Sequence, residues 1–205
     1  MKRIQTGEEI EAKFWVSDFS KIEKRLQEVG ADLTSPRVFE RNLRFDTPRR
    51  ALSRESKVLR LRQDSMNHLT FKGPTDPYQT VSVREEIEFE VSDFNKAKAL
   101  LESLGYEVSV GYEKFRSTYL LDGTQVTLDE MPYGYFVEVE GEDAVVIEAV
   151  ARKLNLNWDA RIRESYLAMF SRLVRLKKLM ARNLNFSEMP DRPYPLEELG
   201  IKPAD

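Results

Sequence analysis

The chain has 205 residues, of which 41% are hydrophobic and 33% charged, with 32 basic and 35 acidic side chains. This balance excludes a membrane protein, a disordered chain and a collagen-like chain, and no apolar run approaches the roughly 20 residues that a bilayer-spanning helix needs. With no cysteine and one histidine, catalysis must use carboxylates, lysine and arginine, and we expect a reducing, cytoplasmic environment. The net charge of −3 gives no reason to expect nucleic acid or a membrane as a partner.

An internal repeat organises the first two thirds of the chain. Residues 9–30 and 86–105 both begin with E-I-E, both contain V-S-D-F, and both end on glycine. In each copy, alternating charged and apolar residues give way to helical spacing, which is typical of a strand followed by a helix. Three strand-like runs follow each copy, at 38–46, 57–63 and 69–72 and then at 114–121, 125–130 and 135–140. The repeat therefore predicts eight strands related by two-fold internal symmetry.

The C-terminal part of the chain differs in kind. Residues 142–154 and 158–182 have helical periodicity, and the apolar stripe of the second segment fits either core packing or a homodimer face. From residue 183 the chain is punctuated by prolines, which predicts a tail that follows the surface. We therefore expect one domain over 1–182 and a C-terminal tail over 183–205.

Charged side chains stand two residues apart in nearly every predicted strand. In most of these pairs the two charges have the same sign. Polar and apolar residues also alternate in an ordinary antiparallel sheet, whose polar face lies in water. If the sheet closes into a barrel, the charged faces instead line a lumen while the apolar faces pack under the helices. Carboxylates supply the oxygen ligands that Mg²⁺ or Mn²⁺ prefers, and guanidinium groups bind phosphate. A lumen with both would suit a metal-bridged polyphosphate.

The motif E-I-E-A-K at 9–13 resembles the ExExK signature of the CYTH superfamily, the triphosphate tunnel metalloenzymes. Further matches follow in order over roughly residues 8–170: F-D-T-P at 45–48, L-R-L-R at 59–62, L-T-F-K-G-P at 69–74, R-E-E-I-E at 84–88, K-F-R at 114–116, V-T-L-D-E at 126–130 and G-Y-F-V-E-V-E-G at 134–141. The resemblance implies an α+β fold, an eight-stranded antiparallel barrel that forms a tunnel and is flanked by helices. It also implies an enzyme that depends on a divalent metal.

The resemblance implies roles for particular side chains as well. The expected ligands of Mg²⁺ or Mn²⁺ are Glu9, Glu11, Asp129, Glu138 and Glu140. The expected phosphate-binding residues are Arg60, Arg62, Lys72, Arg84, Lys114 and Arg116. Lys13 is expected near the reacting phosphate, while Glu86 and Glu88 would either bind a second metal or orient the basic residues. Glu40, Asn42 and Arg44 depart from the usual family pattern, so substrate identity stays open.

Two reactions are compatible with one bound triphosphate. In the first, water attacks the terminal phosphorus and releases orthophosphate; in the second, class IV adenylyl cyclase chemistry converts ATP into cyclic AMP and pyrophosphate. We favour hydrolysis because it needs no nucleotide-specific pocket, and the candidate ligands are tripolyphosphate, thiamine triphosphate and ATP. A non-catalytic polyphosphate- or nucleotide-binding module is a third hypothesis, against which the full set of acidic positions argues.

Overall fold

The computed structural model describes residues 5–76, 78–189 and 194–205. Its elements in chain order are β1 (Gln5–Val16), α1 (Ser20–Glu28), β2 (Asp32–Asp46), α2 (Ala51–Arg54), β3 (Val58–Gln63), β4 (Asn67–Lys72), β5 (Ser82–Glu90), α3 (Phe94–Ser103), β6 (Glu107–Leu121), β7 (Thr124–Met131), β8 (Gly134–Glu140), α4 (Ala144–Lys153), a 3₁₀ turn (Trp158–Ala160), α5 (Tyr166–Lys177) and α6 (Leu196–Leu199). No helix in these ranges has both the length and the apolar composition needed to cross a membrane.

The eight strands close into one antiparallel barrel in the order β1-β5-β4-β3-β2-β6-β7-β8. Strands of the two halves pair in four places: β1 pairs with β5 and with β8, β4 pairs with β5, and β2 pairs with β6. The predicted fold, an eight-stranded antiparallel barrel flanked by helices, is therefore confirmed. Closure puts alternate residues of every strand inside the barrel, because side chains point to opposite faces of a strand in turn.

Strands β2 and β6 begin earlier than the sequence analysis predicted, at Asp32 and Glu107 rather than at residues 38 and 114. The two strands pair with each other along nearly their whole length, from Asp32 opposite Leu120 to Asp46 opposite Glu107, with register shifts. None of residues 32–39 is buried. The missed part of β2 therefore has no buried face, whereas the missed part of β6 carries alternating apolar residues, Val108, Val110 and Tyr112, which the sequence analysis did not use.

Three apolar clusters cover the outside of the barrel. In the first, α1 and α4 pack on the sheet around β1, with Leu26, Ile147 and Phe14 among the fully buried side chains. In the second, α3 packs on β2 and β3 through Phe94 and Leu101. The third joins α5 to the C-terminal segment. The first two leave the lumen free, whereas the third reaches into it, because it includes Tyr112 and Tyr166, whose side chains line the lumen.

The predicted helix over 158–182 is wrong in extent. Its first part is the 3₁₀ turn, after which Ile162 pairs with Lys13 in an isolated β-bridge. Helix α5 begins only at Tyr166, where the Ser165 side chain accepts a hydrogen bond from the Ala168 amide, and it ends at Lys178 in a left-handed conformation. The β-bridge holds this stretch extended, so one continuous helix cannot form.

The expectation of a surface tail after residue 182 is wrong as well. Leu184 and Leu199 are fully buried, and Met189 and Tyr194 are nearly so, all in the cluster with α5. Near the C-terminus, Pro203 forms a parallel bridge with Trp15. These contacts show that the described part of the segment contributes to the core. The division of the chain into 1–182 and 183–205 stays a prediction.

Candidate functional site

The barrel encloses a cavity of about 360 Å³ with a mainly charged lining. Thirteen of the fourteen side chains singled out from the sequence lie on its wall: Glu9, Glu11, Lys13, Arg60, Arg62, Lys72, Arg84, Glu86, Glu88, Lys114, Arg116, Glu138 and Glu140. The structure thus brings residues from six strands, far apart in sequence, to one place. Asp129 does not reach the wall, because it is fully buried behind it.

Acidic side chains crowd one part of the cavity. Glu11 lies directly opposite Glu140 in the pairing of β1 with β8. Burial, together with the charges of Glu9, Glu11 and Glu86, raises the pKa of Glu140 to about 7. Lys72 compensates in part, since its ammonium group donates to Glu9 and lies 3.2 Å from Glu86. Lys13 lies 3.7 Å from Glu11, so two lysines face the four carboxylates Glu9, Glu11, Glu86 and Glu140.

This acidic cluster fits a hard divalent cation. Within the described ranges no group of three His, Asp or Glu side chains is arranged to hold a metal ion as it stands. However, the buried Glu9 Oε2 has no hydrogen-bond partner, and the raised pKa values of Glu11 and Glu140 reflect, after burial, repulsion between carboxylates. A cation among these oxygens would give Glu9 Oε2 a partner and reduce the repulsion between the carboxylates. Mg²⁺ and Mn²⁺ prefer oxygen ligands of this kind. Glu9, Glu11 and Glu140 are the side chains that would hold it.

Lys13 lies between the acidic cluster and the closing helix. Its ammonium group is 3.0 Å from Glu138 and 3.7 Å from Glu11, and it stands 4.4 Å from the centre of the Tyr166 ring. Burial alone would lower the pKa of Lys13, but the charges of Glu138 and Glu11 outweigh burial and raise it. Lys13 therefore stays protonated and directs a fixed positive charge into the cavity.

A buried ion-pair network holds the basic residues of β6. The Asp129 carboxylate accepts hydrogen bonds from Arg116 Nε at 2.6 Å, from Lys114 at 2.9 Å and from the Tyr166 hydroxyl at 3.0 Å. Arg116 also pairs with Glu138. Both oxygens of Asp129 are thus engaged, and the geometry makes it the counter-ion that orients Lys114 and Arg116. Its expected role as a metal ligand stays a prediction.

Glu88 is placed as the counter-ion of the basic residues of β3, as Asp129 is for those of β6. It lies 3.3 Å from Arg60 and 3.1 Å from Arg62, and the Thr70 hydroxyl donates to it at 2.7 Å. Burial would raise the pKa of Glu88, but Arg62 and Arg60 outweigh burial and lower it. Of the two roles left open for this residue, its contacts match the orientation of basic side chains.

The wall also contains residues to which sequence reasoning gave no role, among them Glu40, Arg44, Tyr112 and Tyr166. Burial would raise the pKa of Glu40, yet Lys114 and Arg116 hold it at about 2. Tyr112 lies near Arg60, whose guanidinium approaches the phenol oxygen at 3.4 Å. Extending the two-residue alternation of β2 and β6 would have placed Glu40 and Tyr112 on the inner face. Tyr166 carries no such signal, because α5 brings it there.

A closed antiparallel barrel with acidic and basic side chains gathered in its lumen defines a small class of tunnel proteins. The model of the CYTH domain matches residues 7–167, and the chain belongs to this family. A protein of Methanocaldococcus jannaschii named "Putative adenylate cyclase MJ0240" is 27% identical over 172 residues, which are 78% of this chain and 97% of the relative.

Solved structures agree with this assignment. The PH1819 protein of Pyrococcus horikoshii superimposes with a TM-score of 0.63 at 27% identity, covering 83% of this chain and 99% of that chain. A structure from Vibrio parahaemolyticus, described as a putative adenylate cyclase, gives a TM-score of 0.70 at 23% identity, with coverage of 82% and 99%. The latter likeness concerns the fold alone.

Proposed function

We propose that this protein is a divalent-metal-dependent enzyme that hydrolyses a linear triphosphate in the barrel lumen. One observation carries the proposal. A single cavity holds crowded carboxylates, and one of their oxygens, Glu9 Oε2, has no hydrogen-bond partner. Arg and Lys side chains of strands β2 to β6 line the same cavity. That combination matches a polyphosphate whose charge is neutralised from both sides, by metal and by guanidinium groups.

The chain's own residues supply position and electrostatic stabilisation in this proposal. A divalent metal, when bound, would neutralise phosphate charge and polarise the phosphoryl oxygens. Arg60, Arg62 and Arg116 would bind non-bridging oxygens, and their carboxylate partners keep them aimed before substrate arrives. Lys13 would keep its proton on Nζ and stabilise the charge that develops on the reacting phosphate. Preformed donors of this kind need little reorganisation during reaction.

Adenylate cyclase activity is the second candidate, and the name of the Methanocaldococcus jannaschii relative supports it. Cyclisation requires the site to hold a nucleoside as well as three phosphates. Among the described wall residues, the apolar side chains are Val38, Val58 and Leu167, and the rings are Tyr112 and Tyr166. The Tyr166 ring already faces Lys13. The lining thus offers little surface for a base, which favours hydrolysis.

Product analysis separates the candidates. The protein is incubated with tripolyphosphate, thiamine triphosphate and ATP under Mg²⁺ and Mn²⁺, and products are followed by phosphorus NMR. Orthophosphate from tripolyphosphate supports the proposal. Cyclic AMP with pyrophosphate from ATP would replace it by the cyclase, and binding without any product would leave a polyphosphate-binding module.

A further inference from the structure

Two of the cations in the cavity differ from the others. Eight Lys and Arg side chains line the wall within the described part of the chain, and six of them lie within 4.0 Å of a carboxylate. Arg44 and Arg84 have no such partner among the described residues. Arg84 instead donates to the carbonyl oxygen of Gly73 at 2.7 Å. Arg44 has no side-chain hydrogen bond to any residue that the structure describes.

Arg44 is half-buried and faces other cations. It lies on the inner face of β2, directly opposite Arg60 in the pairing with β3. Asp46 is the acid that acts on it, but that carboxylate already accepts hydrogen bonds from the amides of Thr47, Leu52 and Ser53. Burial lowers the pKa of Arg44, and the charges of Arg84 and Arg60 lower it further. Arg84 and Arg60 therefore act on Arg44 as like charges, and no carboxylate within 4.0 Å of Arg44 in the described part of the chain offsets them.

An anion would supply the partner that Arg44 lacks. Guanidinium groups bind phosphate through fork-shaped pairs of N–H donors, and one such group can serve two oxygens. Arg60 Nε is buried without a hydrogen-bond partner, so donor capacity is unused at this point. The Tyr112 phenol lies near Arg60 and acts electrostatically on Arg44 as well. A terminal phosphate presents one more non-bridging oxygen, and more charge, than an internal phosphate of a chain.

We propose that Arg44, together with Arg60 and Arg84, forms a subsite for the terminal phosphate of a linear polyphosphate, and that Arg44 makes the enzyme select ligands with a free terminal phosphate. The identity of the ligand rests on the proposed function. Arg44 is unpaired in the free protein, so the subsite weakens the fold until the anion binds. This predicts opposite effects of its removal on the free and the bound protein.

The test compares Arg44→Gln with wild type and with Arg41→Gln, an arginine three residues away on the same strand. Arg41 is exposed and lies over the Phe94 ring, outside the barrel. The probes are tripolyphosphate and trimetaphosphate, which has the same number of phosphates in a ring and no terminal group. Affinity is measured by calorimetry, and the melting temperature is measured with and without tripolyphosphate.

For Arg44→Gln, we expect tripolyphosphate affinity to fall about tenfold or more and trimetaphosphate affinity to fall less than about threefold. The ligand-free variant should melt at or above the wild-type temperature, and the order should reverse with tripolyphosphate present. Arg44→Lys, which keeps the charge without the fork, should recover only part of the affinity. Arg41→Gln should change neither affinity.

Equal losses for both probes would overturn the selectivity, because Arg44 would then contribute only general positive charge. No loss, or a loss matched by Arg41→Gln, would overturn the subsite. Hydrolysis of tripolyphosphate by the wild-type protein is recorded separately. If the wild type binds tripolyphosphate without hydrolysing it, the proposed function fails while the subsite is still decided by the affinities.

Discussion

Asp129 and Glu140 are both acidic residues of the same half-barrel, yet their surroundings give them opposite behaviour. Asp129 is fully buried and compensated by Arg116 and Lys114. Glu140 faces other carboxylates, which together with burial raise its pKa to about 7. The charge of the first residue is compensated within the protein, whereas a bound cation would compensate that of the second.

The raised pKa of Glu140 predicts a pH-dependent stability of the metal-free protein. The folded state holds this proton more tightly than the unfolded state, whose ordinary value is 4.5. The stabilising contribution is therefore complete below that value and is lost as the pH rises through about 7. With chelator present, Glu140→Gln should melt above wild type at pH 8, and the difference should shrink at pH 5. A difference that is the same at both pH values would contradict the shift.

Metal binding should show the reverse pH dependence, since only the ionised carboxylate binds the cation. The rise in melting temperature that Mn²⁺ gives the wild type should fall as the pH drops from 8 to 6. Glu140→Gln should gain less from Mn²⁺ than wild type does at pH 8. Equal gains for the two proteins would remove Glu140 from the metal site.

Removal of the buried counter-ion should be costly. Asp129→Asn leaves Arg116 and Lys114 without their main partner, and breaking such buried pairs costs about 3–5 kcal/mol of unfolding free energy. Asp159→Asn is the matched control, because that side chain is 94% exposed and exposed pairs contribute about 1 kcal/mol or less. Urea unfolding of the two variants gives the comparison. Similar losses would show that the network around Asp129 does not hold the barrel together.

At the scale of elements, the C-terminal segment completes the fold. Leu184 is fully buried and forms a bridge between the segment and Tyr112 of β6, on the wall of the cavity. Helix α5 lies beside it and carries Tyr166, whose hydroxyl binds Asp129. Side chains far from the motif-bearing strands thus support one end of the site.

This packing can be tested with two leucines, one buried and one exposed, whose burial the sequence pattern does not predict. Leu184→Ala should lower the unfolding free energy by about 2–5 kcal/mol, because it opens a cavity in the core. Leu176→Ala on α5 should cost far less, since that side chain is 54% exposed. Denaturant unfolding measures both. A loss for Leu176→Ala as large as that for Leu184→Ala would contradict the packing described for this segment.

At the scale of the whole molecule, the barrel was predictable because strand alternation has a period of two and the repeat occurs twice. Alternation indicated that charged strand faces would line the lumen of a closed barrel, and the resemblance to the CYTH family implied the thirteen predicted residues found on its wall. The burial of Asp129 behind the wall was not predicted, because its network with Tyr166 depends on where α5 docks. The burial of the C-terminal segment was not predicted either, because Leu184, Met189 and Tyr194 lie five residues apart, a spacing that matches neither a strand nor a helix. Contacts that depend on tertiary docking leave no period in the sequence.

The central claim is that a triphosphate binds in the lumen, and calorimetric titration of tripolyphosphate into wild type and Arg60→Ala tests it most directly. Arg60 lines the cavity and lies outside the dense network of Asp129. The account predicts one binding site per chain and a loss of about tenfold to a hundredfold in affinity for the variant, because a charged hydrogen bond contributes about 1.5–3 kcal/mol. Equal affinities in a variant that remains folded, or no binding to wild type, would contradict it.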